Sequence, residues 1–578
     1  MLQSQVLAAV LSHYWFRNNE PTITTAATSL LILPLCSLLL EVTLLTNTPR
    51  LYAIALGYLV YYLTLSTSII LYRISPFHPL AKHPGPLLCK ISKWTGVWVA
   101  IKGNSHQFVK DLHLKYGPVV RVGPNELSIV DKDVIPPILG KNGMPRGPLW
   151  DGRRFHQANS LNEKGYDSII DVRDNKIHHQ LRKDWNIAFN STALKDYQEL
   201  VEARGKQLRD HLHTASVQSK NGNANEPVDF SEWVTHFSFD VMGDLAFGGC
   251  FELMRDGDAQ GFRRAMEEGI LLPCIMQHIP WINLLLTSIP FISAKMQVFS
   301  AFGVLESEKR MAAHTKRKDL FYHLYEVPGE KTDRSDAEQL ELIVSNSLLT
   351  IVAGSDTTAT ALTAIFCFLL SSPRVYGRLR AELEQAFPNV CAVDGWPEIQ
   401  GDTLVTLPYL NAAINEIMRL VPAVPTHLQR APEPGSGGKL LGETKIFIPE
   451  GTAVCIPPFA LHRDPRYFSP DPDAFIPERW LDGGEDLIYT TNRDAFIPFS
   501  YGPANCAGKA LAMAELRYTV ATLARCFDLH HYGCKNAGPK ELQAKASEWT
   551  SSLKDRFVFE KGTKLLVEIA SRKQADSG

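Results

Sequence analysis

The spacing of apolar and charged residues changes several times along this chain, and each change predicts a different element. Between Arg50 and Arg73 lie 22 residues without a charge, LYAIALGYLVYYLTLSTSIILY. At ~1.5 Å per residue, a helix of that length crosses the roughly 30 Å of a bilayer core, so the run predicts a transmembrane helix. A second uncharged run of 20 residues, between Glu20 and Glu41, is weaker because Pro34 interrupts it and threonines fill its start. It either spans the bilayer or lies in the interface. No short apolar core with an early small-residue cleavage site is present, which favours a retained anchor of one or two helices over residues 1–75.

Residues 76–86, PFHPLAKHPGP, then predict a domain boundary, with the proline dihedrals favouring an extended, semi-rigid hinge. Residues 87–578 follow as one large domain. HLKYGPVVRVGPNELSIV (113–130) reads as a helix end, a turn and two strands with alternating apolar positions. From about 170 to 425 apolar residues recur at three and four spacing, which predicts helices. Strand-like pieces return between 426 and 456, and a last helix is expected near 508–526 after a loop-rich stretch. One helix should be exceptionally long, because Ser335-Asp336 supplies a start signal and Ser371-Ser372-Pro373 a stop. The fold class read from these elements is mainly α with small β-sheets (α+β).

Composition narrows the class of protein. With 45% hydrophobic and 10% aromatic residues in 578, a large core is available and general disorder is excluded. Lys plus Arg number 59 against 61 Asp plus Glu, so there is no electrostatic case for nucleic acid as a partner. No internal repeat is visible. The ten cysteines are dispersed without a CxxC pair, which fits a reduced, cytosol-facing chain. His530, His531 and Cys534 lie close together but lack a fourth ligand at zinc-like spacing. Arg73, Lys82, Lys90 and Lys93 flank the anchor, and the positive-inside bias places everything downstream in the cytosol.

Two places carry candidate chemistry. The long helix is apolar on nearly every face, yet its centre holds Gly354, Ser355, Asp356, Thr357 and Thr358. A buried carboxylate must be paired or used, since desolvation otherwise protonates it. The ordinary alternative is a helix whose hydroxyls bond back to carbonyls and whose Asp356 meets a neighbouring cation. The second place is FIPFSYGPANCAGKALAMAELR (496–517), where glycines bracket Cys506 and an apolar-periodic segment begins just behind it. The sulfur therefore sits at a helix N-terminus, whose dipole and free N–H groups favour thiolate. No histidine lies nearby in sequence to act as a base, so a metal-bound thiolate fits better than a nucleophile.

These residues carry a family resemblance. Phe499-Ser-Tyr-Gly502-Pro-Ala-Asn-Cys506-Ala-Gly508 resembles the FxxGxxxCxG signature of the cytochrome P-450 superfamily, whose cysteine thiolate is the proximal ligand of heme iron. Ala353-Gly354-Ser355-Asp356-Thr357-Thr358 resembles its oxygen-activation motif, Glu416-Ile-Met-Arg419 its ExxR, and Phe475-Ile-Pro477-Glu478-Arg479-Trp480 its aromatic-x-P-E-R segment. ExxR alone is a cheap signal, for Glu252-Leu-Met-Arg255 repeats it. The set of four in family order is what persuades. His178-His-Gln-Leu-Arg182 resembles the family's WxxxR, with His178 in place of tryptophan. Ala504 is a departure, standing where the family usually has Arg or His.

The resemblance implies a P-450 fold and heme b (iron protoporphyrin IX) with Cys506 as axial metal ligand. Phe499, Gly502 and Gly508 would shape the cofactor site, and His178, Arg182 and Arg430 would face the propionates. Glu416, Arg419 and Arg479 would form a structural network behind the heme, while Asp356 and Thr357 would handle protons as catalytic residues. It also implies a membrane-bound eukaryotic monooxygenase of fungal style, in the endoplasmic reticulum, oxidising a lipophilic small molecule such as a terpenoid in secondary metabolism. Segments 147–160 and 270–291 would form the pocket roof and entrance. Electrons would come from NADPH through a cytochrome reductase, since no GxGxxG or fused flavin segment occurs. Lys176, Arg182, Lys183 and Lys509 could present a basic face to that partner. The alternatives are a heme-dependent isomerase or dehydratase needing no dioxygen, and a non-catalytic heme-binding membrane protein. A hydrolase is disfavoured by the lack of a GxSxG elbow, HExxH or phosphate loop.

Overall fold

The computed structural model describes residues 2–19, 23–36, 50–153, 168–221, 227–259, 261–282, 289–313, 317–326, 336–389, 395–426, 428–481 and 488–572. Ser335, residues 37–40 of the weaker apolar run, and portions 154–160 and 283–288 of the two pocket segments lie outside these. The chain divides into two compact units, one of residues 1–96 with 119–127, the other of 97–118 with 128–578.

The first unit begins with a helix the apolar pattern did not predict, α1 (Leu2–Asn18). A short apolar helix follows over Thr24–Cys36, containing a π turn at Thr28–Ile32, and then comes α2 (Arg50–Ile74), the expected long apolar helix. Helices α1 and α2 run parallel, as their contacts show. Tyr61 donates to the Ser12 hydroxyl at 2.7 Å, His13 Nδ1 lies 2.7 Å from the Ser68 hydroxyl, and Arg17 sits over the Tyr72 ring at 4.3 Å. The intervening helix runs back the other way. Tyr58 donates to the Leu31 carbonyl at 2.6 Å, Tyr62 to Leu30 at 2.8 Å and Tyr61 to Ser29 at 2.8 Å.

Most of the proline-rich stretch, up to His83, is not extended. It folds into successive turns, with His78 N–H bonding to Ser75 O at 3.3 Å, Ala81 to His78 at 2.9 Å and His83 to Leu80 at 3.1 Å. Pro76 and Pro79 each fall second in a turn, where their fixed φ is already correct. His78, Leu80 and His83 are buried, which the sequence reading as a spacer had no means to anticipate. The strands β1 (Val119–Gly123) and β2 (Glu126–Ile129) then form the predicted pair.

The second unit is mainly helical. Helix α3 (Asn175–Ala188) starts at Asp174, whose carboxylate accepts from the Lys176 and Ile177 amides at 2.6 and 3.1 Å, an N-cap. A two-residue strand β3 (Val228–Asp229) leads into α4 (Phe230–Phe247), nearly all of which is buried. Helix α5 (Asp336–Leu370) is the long helix, about 50 Å at ~1.5 Å per residue, and packs along α4. Phe230 and Phe366 meet between them with centroids 4.7 Å apart and their rings tilted by 55°. Gly354 makes this contact possible, because a Cβ there would stand 2.1 Å from the Met242 sulfur of α4.

Beyond α6 (Pro408–Leu420), β4 (Leu428–Arg430) pairs antiparallel with β5 (Ala453–Ile456). Helix α7 (Lys509–Cys526) matches the expectation near 508–526 but is not the last. It continues directly into β6 (Phe527–His531), followed by α8 (Pro539–Ser552), a hairpin over 554–560, and β7 (Leu566–Ser571) between β6 and β3. Strands β6 and β7 were missed because each gains its partner about 40 residues away, and short alternating runs of that kind give little local signal.

Candidate active site

The loop before α7 is built around the sulfur. Cys506 N–H bonds to Phe499 O at 2.9 Å, Asn505 N–H to Gly502 O at 3.1 Å, and Ser500 N–H to Ile497 O at 3.0 Å. Two residues carry positive φ, Ser500 at 62° and Gly502 at 72°. A side chain at Gly502 would meet the Leu139 carbonyl oxygen at 2.2 Å, so glycine is required sterically as well as conformationally. Phe499 is half-buried beneath the Lys509 ammonium, and Gly508 forms the N-cap of α7. The Cys506 side chain is exposed, unlike most cysteines of the chain. Desolvation by the loop on its protein side pushes its thiol up, while the Gly508 amide, Arg182 and Lys509 pull towards thiolate.

A cationic cluster accompanies this loop. His178 and Arg182 sit one turn apart on α3, and the Arg182 guanidinium clasps Asn505, donating to its backbone O at 2.6 Å and its side-chain Oδ1 at 2.7 Å. Its Nε bonds to Asn186 at 2.9 Å. Asn505, beside Ala504 in sequence, is thus what ties α3 to the sulfur loop. Arg430, at the end of β4, is buried and forms a backbone bridge with Arg146, also buried. Arg146 donates to Val172 O at 2.7 Å, whereas the described bond of Arg430 is a long one of 3.3 Å to Gln429 O.

Burial lowers Arg430 to about 10, and burial together with Arg430 and Arg182 lowers Arg146 to about 9, with Asp171 opposing. His178 falls to about 3, chiefly through burial and then through Arg146, Arg182 and Arg430. Three guanidiniums and a neutral imidazole therefore share one electrostatic neighbourhood, in which Asp171 is the opposing carboxylate among the described residues. Such a cluster calls for an anion. Arg146 was not legible in sequence, since its partner Arg430 lies far along the chain.

On α5, Ala353 is exposed in the middle of a helix that is otherwise largely buried, so described protein does not cover that face. Thr357 bonds back to Ala353 O at 2.7 Å, and Ser355 likewise bonds back to Ile351 O. Burial raises the Asp356 carboxyl to about 6, with Lys561 opposing and Glu267 adding to the rise. Asp356, Thr360, Thr235, Arg263, Glu267 and Lys561 line a cavity of about 390 Å³. Lys561 donates to Thr235 at 2.5 Å, and burial lowers its ammonium. The back-bonded hydroxyls and the lysine near Asp356 are what the ordinary reading of this helix anticipates. The exposure of Ala353 is not.

Behind these elements, Glu416 is fully buried and saturated. Arg419 donates to its two oxygens at 2.8 and 2.9 Å, Arg479 at 3.0 Å, Trp480 Nε1 at 2.9 Å and the Ile476 amide at 2.9 Å. Arg419 also reaches the carbonyls of His462 and Ala474 at 2.8 and 3.1 Å, and Arg479 those of Pro470 and Asp471, both at 3.2 Å. Glu416, Arg419 and Arg479 are thus bonded to one another in a single buried network.

The sulfur loop, the saturated carboxylate and the hydroxyl-bearing central helix belong to a known class of oxidoreductase. The family model described as Cytochrome P450 matches residues 84–544, and the chain is a member of that family. It is 34% identical over 459 residues to cytochrome P450 monooxygenase FCK2 of Fusarium pseudograminearum, covering 79% of this chain and 77% of that protein. It is 32% identical over 471 residues to tryprostatin B 6-hydroxylase of Aspergillus fumigatus, covering 81% and 78%. A similar match, 32% over 474 residues covering 82% and 81%, is to cytochrome P450 monooxygenase nodW of Hypoxylon pulicicidum. The chain is therefore a monooxygenase of the P450 type, and membership implies a heme iron. The residues present fit that group, with an exposed sulfur on a glycine-bounded loop, an exposed Ala353 on the central helix, and buried guanidiniums suited to two carboxylates.

Proposed function

We propose that this chain is a heme-thiolate monooxygenase that hydroxylates a lipophilic small molecule in fungal secondary metabolism. In this reading Cys506 is the axial ligand, and Arg146, Arg182, Arg430 and His178 hold the propionates. When bound, heme supplies dioxygen activation using two electrons. The protein positions its ligand sulfur with the Phe499 and Gly502 turns. Asp356, with its carboxyl raised to about 6, lies close enough to neutrality to take up and release a proton, and the cavity it lines with Lys561 gives that proton a polar route. Thr357 spends its hydroxyl proton on Ala353 O, which leaves its oxygen free to accept a hydrogen bond.

Electrons would arrive from NADPH through a membrane-bound cytochrome reductase, for which the exposed Lys176, Lys183 and Lys509 around Arg182 offer a basic docking face. The N-terminal helices would hold the protein in the endoplasmic reticulum, with residues 87–578 as the cytosolic catalytic domain. Names such as tryprostatin B 6-hydroxylase among the relatives support hydroxylation of a natural product as the reaction.

The observation that carries this reading is the exposed Cys506 sulfur beside a buried arginine cluster. Its test is spectroscopic. The reduced, carbon-monoxide-bound protein should show the red-shifted Soret band of thiolate ligation, and Cys506→Ser should lose both that band and turnover. A serine variant that keeps either one refutes the proposal. Binding spectra against apolar compounds, followed by turnover of the hits with reductase and NADPH, would identify the substrate. Turnover that needs neither NADPH nor dioxygen would favour an isomerase or dehydratase instead.

A further inference from the structure

The N-terminal helices of the first unit bury polar side chains beside a small apolar cluster of Ala8, Ala9, Tyr61 and Leu65, and leave large apolar side chains facing out. On α1, Gln5 and Ser12 are buried with Ala8 and Ala9, while Val6, Leu7, Val10 and Leu11 are exposed. A helix of a water-soluble bundle shows the reverse pattern, with its apolar stripe facing inward. The same inversion continues on its neighbours, where Leu31, Ile32, Leu59, Leu63 and Leu71 face out.

The backbone follows the same logic. Pro34 has no N–H to give to Leu30 O, and the π turn before it disturbs the neighbouring carbonyls. These carbonyls are not left to solvent. Tyr62 donates to Leu30 O at 2.8 Å, Tyr61 to Ser29 O at 2.8 Å and Tyr58 to Leu31 O at 2.6 Å, while Gln5 donates to Pro34 O at 3.2 Å. Internal satisfaction of freed carbonyls by neighbouring helices is what a medium without hydrogen-bonding capacity demands.

We infer that α1, the Thr24–Cys36 helix and α2 lie together in the bilayer as a three-helix unit whose outer face meets lipid hydrocarbon. The inference rests on the proposed membrane anchoring and deepens it. Because α1 is parallel to α2, Arg17 stands level with Tyr72 and Arg73, at the end of α2 that leads to the catalytic domain. Asn18 and Asn19 are therefore on the cytosolic side, and the start of α1 is on the lumenal side. If α2 crossed alone, the whole stretch before it would be lumenal.

Glycosylation mapping in microsomes separates these topologies. One version of the full chain carries an N-glycan acceptor on an N-terminal extension, and another carries it in a flexible Gly/Ser insert after Asn19. The three-helix unit gives a glycosylated N-terminal extension and an unmodified insert. Modification of both sites overturns the inference while leaving α2 as a single anchor. Modification of neither overturns membrane spanning by α2 itself, and modification of the insert alone overturns the orientation. Should the insert disturb folding, Asn19→Cys in sealed microsomes serves instead. Labelling by an impermeant maleimide above the background of the unsubstituted protein is the expected result, and labelling only after permeabilisation overturns the inference.

Discussion

Glu416 and Arg419 are three residues apart on α6, and Glu252 and Arg255 are three apart at a four-residue helix over Leu253–Asp256. The spacing is identical and the outcomes are opposite. Glu416 and Arg419 bind each other with no solvent exposure, and Arg479, Trp480 and the Ile476 amide close the shell. Glu252 turns instead to Arg204, at 2.9 and 3.1 Å, while Arg255 pairs with Asp256 on the surface with both side chains more than half exposed. A tetrad by itself encodes only proximity on a helix. What makes the first one a structural centre is the arrival of Arg479 and Trp480 from 60 residues downstream, which lets a charged pair be buried with every lone pair and most N–H groups used.

The contrast can be broken most severely at Glu416. Glu416→Ala strands two buried guanidiniums and should cost about 3–5 kcal/mol, enough to eliminate folded heme protein, read as the yield of the carbon-monoxide complex and the unfolding midpoint. Asp356 offers an intermediate case, a buried carboxylate with a lysine nearby but no clasping guanidinium. It takes up its proton at about 6 when folded and at its ordinary 3.8 when unfolded, so between these values the folded chain binds more protons and stability falls as pH rises. The difference between wild type and Asp356→Asn in denaturant melts should therefore change by up to about 3 kcal/mol between pH 4 and 6. A flat difference would show that Asp356 is not desolvated.

The arginine cluster sharpens the lesson from the cationic side, since these are buried charges without enough carboxylate. Arg146→Gln should weaken heme retention by about 1.5–3 kcal/mol, measured as transfer of heme to an acceptor protein, while the unfolding midpoint of the heme-free chain rises or stays level. At the other extreme, Arg255→Ala should leave the unfolding midpoint unchanged. A clear loss there would mean the second tetrad does more than its exposure implies.

How legible all this was depends on the range of the interactions. Helix α5 could be read almost to the residue, because its apolar run and the Ser-Ser-Pro stop are local features. The sulfur loop was equally visible, since the glycines and Cys506 that define it are contiguous, and the choice of the correct tetrad was possible through Arg479. Arg146 and Lys561 were invisible, for each acquires meaning only from a residue on a distant strand or helix, Arg430 in one case and Asp356 in the other. The clasp of Arg182 by Asn505 escaped for the same reason. Helix α1 was missed for a different one: its polar residues are scattered through an apolar sequence, and a reading that expects polar faces outward finds no helix face in it. The turns over 76–83 were misread as an extended spacer because proline excludes helix without deciding between extension and turn.

The inward hydroxyls and imidazole of α1 bear on how the protein is best produced. Removing α1 alone would leave Tyr61 and Ser68 of α2 without the partners they now have in Ser12 and His13, and would bare a polar seam to lipid or detergent. Trimming through Ile74 removes all three helices and their polar seam together, giving up the Arg73 bond to Ile91 O and the Tyr72 ring against His78. Of the two shortened versions, the longer one should be the more prone to aggregate during purification.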